Sequence, residues 1–372
     1  MSARLYAKRA ISASDTSAAV VTHGTIALRN LEAQIEGLEP NSTAGQRRVE
    51  EQAWLVDLLA LRGSILASIA DYERALELAQ LLVCDAGREG TAFLARARGR
   101  AVFHRFGDAL DDLDVAESLA ADAKAVRRER AAIFQGLGRY EEAYALREED
   151  ARRYPSFDSL GALTTLCAER GDTERAERLR AESVRRYRGV SPLPLAILEF
   201  HLGAMWMHEG RLDRARDHLI AARCYVPAYA PAQGHLAEVE AELGKLDLAI
   251  TLLEPLAATS DDPDYAAQLA RICADAGYPD DSRYWRGRAA ARYDELTTVH
   301  PEAFGDHAAE FWLAAGGDPS KALPLARMNL ENRKTPRAYA LLSRAIVADE
   351  AVSAGGISHH QNVAVRDFSS KR

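Results

Sequence analysis

A small residue returns along this chain at Ala75, Ala109, Ala143, Ala176, Ala215, Ala249, Ser282 and Ala322, in steps of 34, 34, 33, 39, 34, 33 and 40 residues. Five positions before each stands a turn residue: Ala70, His104, Gly138, Gly171, Gly210, Gly244, Gly277 and Gly317. Glycine dominates this second series, as a backbone with positive φ requires. Twelve positions before the recurring residue stand Gly63, Ala97, Ala131, Thr164, Gly203, Ala237, Ala270 and Glu310, small in every case but the last. Small residues at both places let two helices approach closely, while Leu66, Phe134 or Trp206 fills the space between them. One such hairpin cannot offset a backbone entropy cost of roughly 1–2 kcal/mol per residue, so the copies must stack on one another. The periodicity predicts an all-α superhelix of about eight helix hairpins with helical caps.

Around that array the sequence divides as follows. Residues 1–55 read as a basic N-terminal arm and capping helices, the first helix spanning 15–37 and broken at Pro40-Asn41-Ser42-Thr43. The array occupies 56–350. The 39-residue step adds Gly189–Pro194 and the 40-residue step adds Thr298–Glu302, each either a loop or a longer second helix. After Pro336 a last helix carrying Ala338, Leu341, Leu342, Ala345 and Ile346 closes the array, and 351–372 lose periodicity and read as a flexible tail.

The repeated pattern resembles the tetratricopeptide repeat, on Gly63/Tyr72/Ala75, Tyr140/Ala143/Pro155, Leu202/Gly203/Ala215/Pro227 and Leu236/Ala237/Ala249. The aromatic of the turn is Tyr72, Phe106 or Tyr140 early on, but Leu212, Leu246 and Pro279 later. The resemblance implies a concave groove lined by the first helix of each hairpin and used to hold a protein or peptide partner. Mapped onto this chain, it puts His201 and His208 on that face in the fifth hairpin, His235 and Glu238 in the sixth, Arg271 in the seventh, and His307 with Phe311 in the eighth. The family's carboxylate clamp needs Lys and Asn on successive first helices; Ala60, Ser64, Leu94, Arg98, Arg128 and Ala132 stand at the matching places. The clamp is therefore not expected.

Composition narrows the function classes. With 47 basic against 55 acidic residues the chain is acidic, which argues against nucleic acid as partner. The runs at Arg127–Arg130 and Arg185–Arg188 interleave with acids at helical spacing, as on a salt-bridged outer face. The predominance of Arg over Lys points to a bacterial, GC-rich source. Cys84, Cys167, Cys224 and Cys273 recur at two repeat positions without metal-ligand spacing, which suits packing residues in a reducing cytoplasm. No apolar run is long enough for a membrane span.

Catalytic motifs are missing: no Gly-x-Ser-x-Gly, phosphate-binding loop or dinucleotide fingerprint occurs. His201, His208, His235 and Glu238 share one face, but neighbouring repeats stand ~10 Å apart, too wide for a metal. The expectation is a non-enzymatic scaffold or adaptor without cofactor or metal, holding a partner segment in its groove. A regulatory peptide sensor and an accessory subunit of an enzyme or secretion complex are the alternatives.

Overall fold

The structure, a computed structural model, describes residues 21–39 and 48–367, the last fourteen as backbone only. The expected arm, the first residues of the expected first helix and the Pro40–Thr43 break lie outside the described residues. Eighteen helices and no strand occur among those described. Helix α1 (Gly24–Leu38) stands alone. Eight hairpins follow: α2 (Val49–Leu66) with α3 (Ile69–Asp85), α4 (Gly90–Val102) with α5 (Phe106–Ser118), α6 (Ala123–Gly136) with α7 (Tyr140–Arg153), and α8 (Phe157–Glu169) with α9 (Thr173–Arg186). Then come α10 (Leu193–His208) with α11 (Leu212–Tyr225), α12 (Ala230–Glu242) with α13 (Leu246–Thr259), α14 (Pro263–Asp275) with α15 (Pro279–Val299), and α16 (Pro301–Leu313) with α17 (Pro319–Asn332). Helix α18 (Pro336–Asp367) ends the array, and its backbone stays helical through most of the stretch where a tail is expected.

Apart from the half-buried Ser282, the recurring small residues are where the helices of each hairpin touch. Ala109, Ala143, Ala176, Ala215, Ala249 and Ala322 are fully buried, as are Ala97, Thr164 and Ala237 opposite three of them. Three details differ from expectation. The first array helix begins at Val49, so the boundary at residue 56 cuts through α2, and its turn residue is Ala67 rather than Ala70. In the eighth hairpin, extra residues precede Gly317, and the buried Ala308 and Ala309 replace Glu310 as the packing residues. Cys84 and Cys224 are exposed, so packing explains only Cys167 and Cys273. The two insertions resolve differently: 189–191 is a loop, whereas the later one lengthens α15 to 21 residues.

Ionic contacts repeat between stacked hairpins. Glu199 of α10 is held by Arg180 of α9 (2.9 Å) and His218 of α11 (2.6 Å). One repeat on, Glu240 of α12 is held by Arg216 (2.5 Å) and Lys245 (2.7 Å). Burial works against a charged His218, yet its bonds to Glu177 and Glu199 raise its pKa to about 9. Each buried carboxylate thus ties two second helices to one first helix.

The superhelix winds back on itself. The turn at Ala67 meets the segment before α14: Ser260 Oγ donates to the Ala67 carbonyl (2.9 Å) across 193 residues of chain. Asp261 accepts from the free backbone N–H groups of Ile69 and Ala70 (both 2.8 Å), capping α3 from the next superhelical turn. At the second hairpin, Phe103 stacks on His300 at 3.9 Å, and His104 Nδ1 donates to the Glu302 carbonyl (3.1 Å) across 198 residues. At the third, Arg333 Nε donates to Gly136 O (3.0 Å) and Lys334 N to Leu137 O (3.2 Å). An apolar cluster of Leu76, Phe103 and Ala303, flanked by Tyr72 and Phe304, fills this seam.

The N-terminal helices close the turn from inside. Leu55, Val56, Leu58 and Leu59 are all buried, so α2 is covered over most of its circumference, with Trp54 left exposed. It packs against α12, and its side chains share one core with α1, α8, α10 and α12. Thr22 donates through both N and Oγ1 to Val190 O in the inserted loop (2.8 and 2.7 Å).

Candidate binding lumen

With the superhelix wound back on itself, the first helices form its inner wall, the lumen of the turn. Five of the seven expected site residues share this wall. His201 on α10 is exposed to solvent yet ringed by protein. That crowding lowers its imidazole pKa to about 4, with Arg147 and His235 acting in the same direction. His235 on α12 is half-buried, edge-on to Phe200 at 5.0 Å, and is likewise held neutral, first by burial. Glu238, one turn on, has its pKa raised to about 7 by burial and then by Asp264, with Arg271 opposing. The Arg271 guanidinium stands 3.7 Å from Glu238 and 3.9 Å from Asp275, loosely held by each. His307 on α16 is pushed the other way, its pKa raised first by the adjacent Asp306 at 3.9 Å.

The remaining two sit elsewhere. His208, the last residue of α10, is exposed and makes no hydrogen bond or ring contact with the others among the described residues. Phe311 is a core residue, 4% exposed, with its ring 5.2 Å from Tyr293 and 4.9 Å from Trp312. Spacing of i,i+4 from His307 assigns it to the lumen stripe. The lengthened α15, however, brings Tyr293 beneath α16 and covers it.

Sequence reasoning missed the group that connects the rest. Asp264, in the first turn of α14, accepts from Gln268 Nε2 (2.7 Å) and lies within electrostatic reach of His235, Glu238 and His307. Its neighbour Asp262 caps α14 through the N–H of Asp264 (2.9 Å) and has its pKa raised to about 6, by burial and then by Asp264. An Asp-Pro-Asp opening a helix reads as a cap, and its second acid carries no sequence signal of its own. No three His, Cys, Asp or Glu side chains converge at metal-binding distance among the described residues. Nor does any described Ser or Cys of this wall stand against a histidine base.

A chain of stacked helix hairpins with a polar inner wall defines a helical-repeat binding protein. A family model described as tetratricopeptide repeat matches residues 207–272. The fold is an all-α superhelix of tetratricopeptide-like hairpins. Among solved structures, human IFIT1 as a dimer with PPP-AAAA is similar at 14% identity and a TM-score of 0.53, over 86% of this chain and 77% of that one. Human IFIT1 as a dimer with m7Gppp-AAAA gives 14% and 0.54, over 87% and 76%. A tetratricopeptide repeat protein from Parabacteroides merdae gives 16% and 0.40, over 72% and 93%. At 14% identity the likeness to IFIT1 is one of fold. Comparison with curated proteins finds no match.

Proposed function

We propose that this protein is a non-enzymatic scaffold that holds a segment of a partner protein inside its lumen, on His201, His235, Glu238, Arg271 and His307. One observation carries the reading. Four successive first helices, α10, α12, α14 and α16, each carry an ionisable side chain on the inner wall, and the pairing among these groups is loose. Core residues at such places would be apolar or tightly paired. The IFIT1 complexes hold RNA ends, but this wall carries Glu238, Asp262 and Asp264, which favours a segment rich in cations and N–H donors over a phosphate chain.

The test is co-purification from native cells followed by binding to a His201→Ala, His235→Ala, Arg271→Ala triple variant. Melting temperature should hold, because these side chains lie outside the stacking core, while partner binding weakens by about 1–3 kcal/mol. Unchanged affinity places the working surface elsewhere. Glu238, with its pKa near 7, sets the sign of the pH dependence: a cationic segment binds more tightly as pH rises from 6 to 8 and the carboxyl ionises.

A further inference from the structure

Outside that wall, two cavities meet where α6, α7, α8 and α10 come together. The first, about 200 Å³, is lined by Lys124, Arg128 and Arg147, and by the acids Glu129, Asp150 and Asp158. The second, about 300 Å³, shares Arg128, Asp158 and Ala162 and is otherwise largely apolar, with Leu61, Phe157, Leu193, Pro194 and Ile197 in its wall and His201 at its edge. The charges around the first do not cancel. Glu129 is taken by Arg98 (2.9 Å) and Asp150 by Arg127 (3.3 Å).

Arg147 donates through Nη1 to Ala162 O and to Thr165 Oγ1 (3.1 Å), but its Nε is buried with no acceptor. Among the described residues neither Arg147 nor Arg128 has a carboxylate within ion-pair distance. Lys124 lies over the Tyr154 ring at 5.5 Å. Asp158 is the one remaining acid of this lining, so three cations stand against a single carboxylate. Burial and the neighbouring Arg128 act against the charge on Arg147, lowering its pKa to about 10, while Glu169 and Glu129 support it. Arg147, half-buried with an unsatisfied Nε, gains if something anionic joins it, while Arg128 and Lys124 stand exposed at the rim.

We infer that the joined cavities bind a small amphiphilic anion, its oxyanion head between Arg128, Arg147 and Lys124 and its apolar body on Phe157, Leu193, Pro194 and Ile197. The head is a carboxylate or a phosphate, both of which match the planar donor fork of arginine. The apolar body follows from the second cavity, which opens off the first past Arg128. Apart from His201 at its margin, this site shares no residue with the proposed partner-binding wall, so either can fail alone.

Calorimetric titration of the full chain with octanoate, octyl phosphate and inorganic phosphate tests the inference. At least one amphiphile should bind with one-to-one stoichiometry, tenfold or more tightly than inorganic phosphate. The tighter of the two identifies the head. Arg128→Ala should weaken that binding at least tenfold, Arg128→Lys should restore part of it, and Ile197→Asp should weaken it while leaving inorganic phosphate unaffected. Because Arg128 makes no ion pair, its loss should not unfold the chain, and the melting temperature of the wild type should rise with the amphiphile. The inference is overturned if neither amphiphile binds at millimolar concentration, if Arg128→Ala binds as the wild type does, or if inorganic phosphate matches the tighter amphiphile.

Discussion

The turns at Ala67, His104 and Gly138 lie in the seam between successive superhelical turns, whereas those at Gly210, Gly244 and Gly277 face open space. All six have positive φ. The open turns have only that conformation to satisfy, and glycine satisfies it at least cost. The seam turns must also fit a neighbour, so two of them carry side chains despite the strain. His104, at φ 54°, donates to Glu302 and takes a bond from Asn332 Nδ2 on its carbonyl (3.0 Å). Gly138 is the opposite solution: a Cβ there would stand 2.6 Å from the Lys334 carbonyl oxygen. The seam therefore selects residues by long-range fit, and the open turns by local backbone alone.

Substituting alanine at both kinds of turn separates the two demands. Gly138→Ala adds the left-handed cost of ~1–2 kcal/mol to an overpacking cost of similar or larger size, because the obstructing atoms are backbone. A loss of about 3 kcal/mol is expected in denaturant titration. Gly244→Ala meets nothing within 4 Å and should lose only ~1–2 kcal/mol. Equal losses would mean that the seam is not closed at the third hairpin.

Asp261→Ala sharpens the comparison from the other side of the seam. It removes the acceptor for two N–H groups of α3, while Ser68 Oγ still caps Asp71 N (3.2 Å). A cost of about 1–2 kcal/mol is expected, with faster hydrogen exchange at Ile69 and Ala70. Exchange unchanged there would show that α3 is capped without the second superhelical turn.

How much of this was legible in the sequence depends on distance along the chain. Ala143 and Ala215 announce their packing because the helix each meets ends only seven residues earlier, and the repeat prints the same solution again. The seam is invisible at that level. Its register is the sum of small rotations over about five hairpins, and nothing in Ser260-Asp261 says that Ala67 will arrive beside it. The lumen was half legible for the same reason. His201, His235 and Glu238 follow from the phase of single helices, but Phe311 was misplaced because its burial depends on the length of α15. Arg128 reads as one member of a basic run, and only the fold shows that Arg127 and Arg130 take the nearby acids while Arg128 does not.

The smallest predicted effect concerns pH at the seam. His104 is enclosed by Glu302, Arg333, Asp306 and His307; burial first, then Arg333 and His307, lower its pKa to about 4, with Asp306 and the Glu302 carbonyl opposing. A folded-state pKa below the unfolded value of about 6.5 means that the unfolded chain binds the proton more readily, so stability falls as pH drops from 6.5 towards 4. Between pH 7 and pH 6 the loss from this group is under ~1 kcal/mol, and it grows below that. His201 titrates in the same direction, so the wild type alone cannot assign the effect. His104→Asn does, since asparagine tolerates the left-handed conformation without titrating. The difference in unfolding free energy between wild type and His104→Asn should narrow steadily from pH 7 to pH 5, as the wild type loses stability that the variant keeps. Parallel curves for the two would remove His104 from the seam's electrostatics and leave it a packing residue.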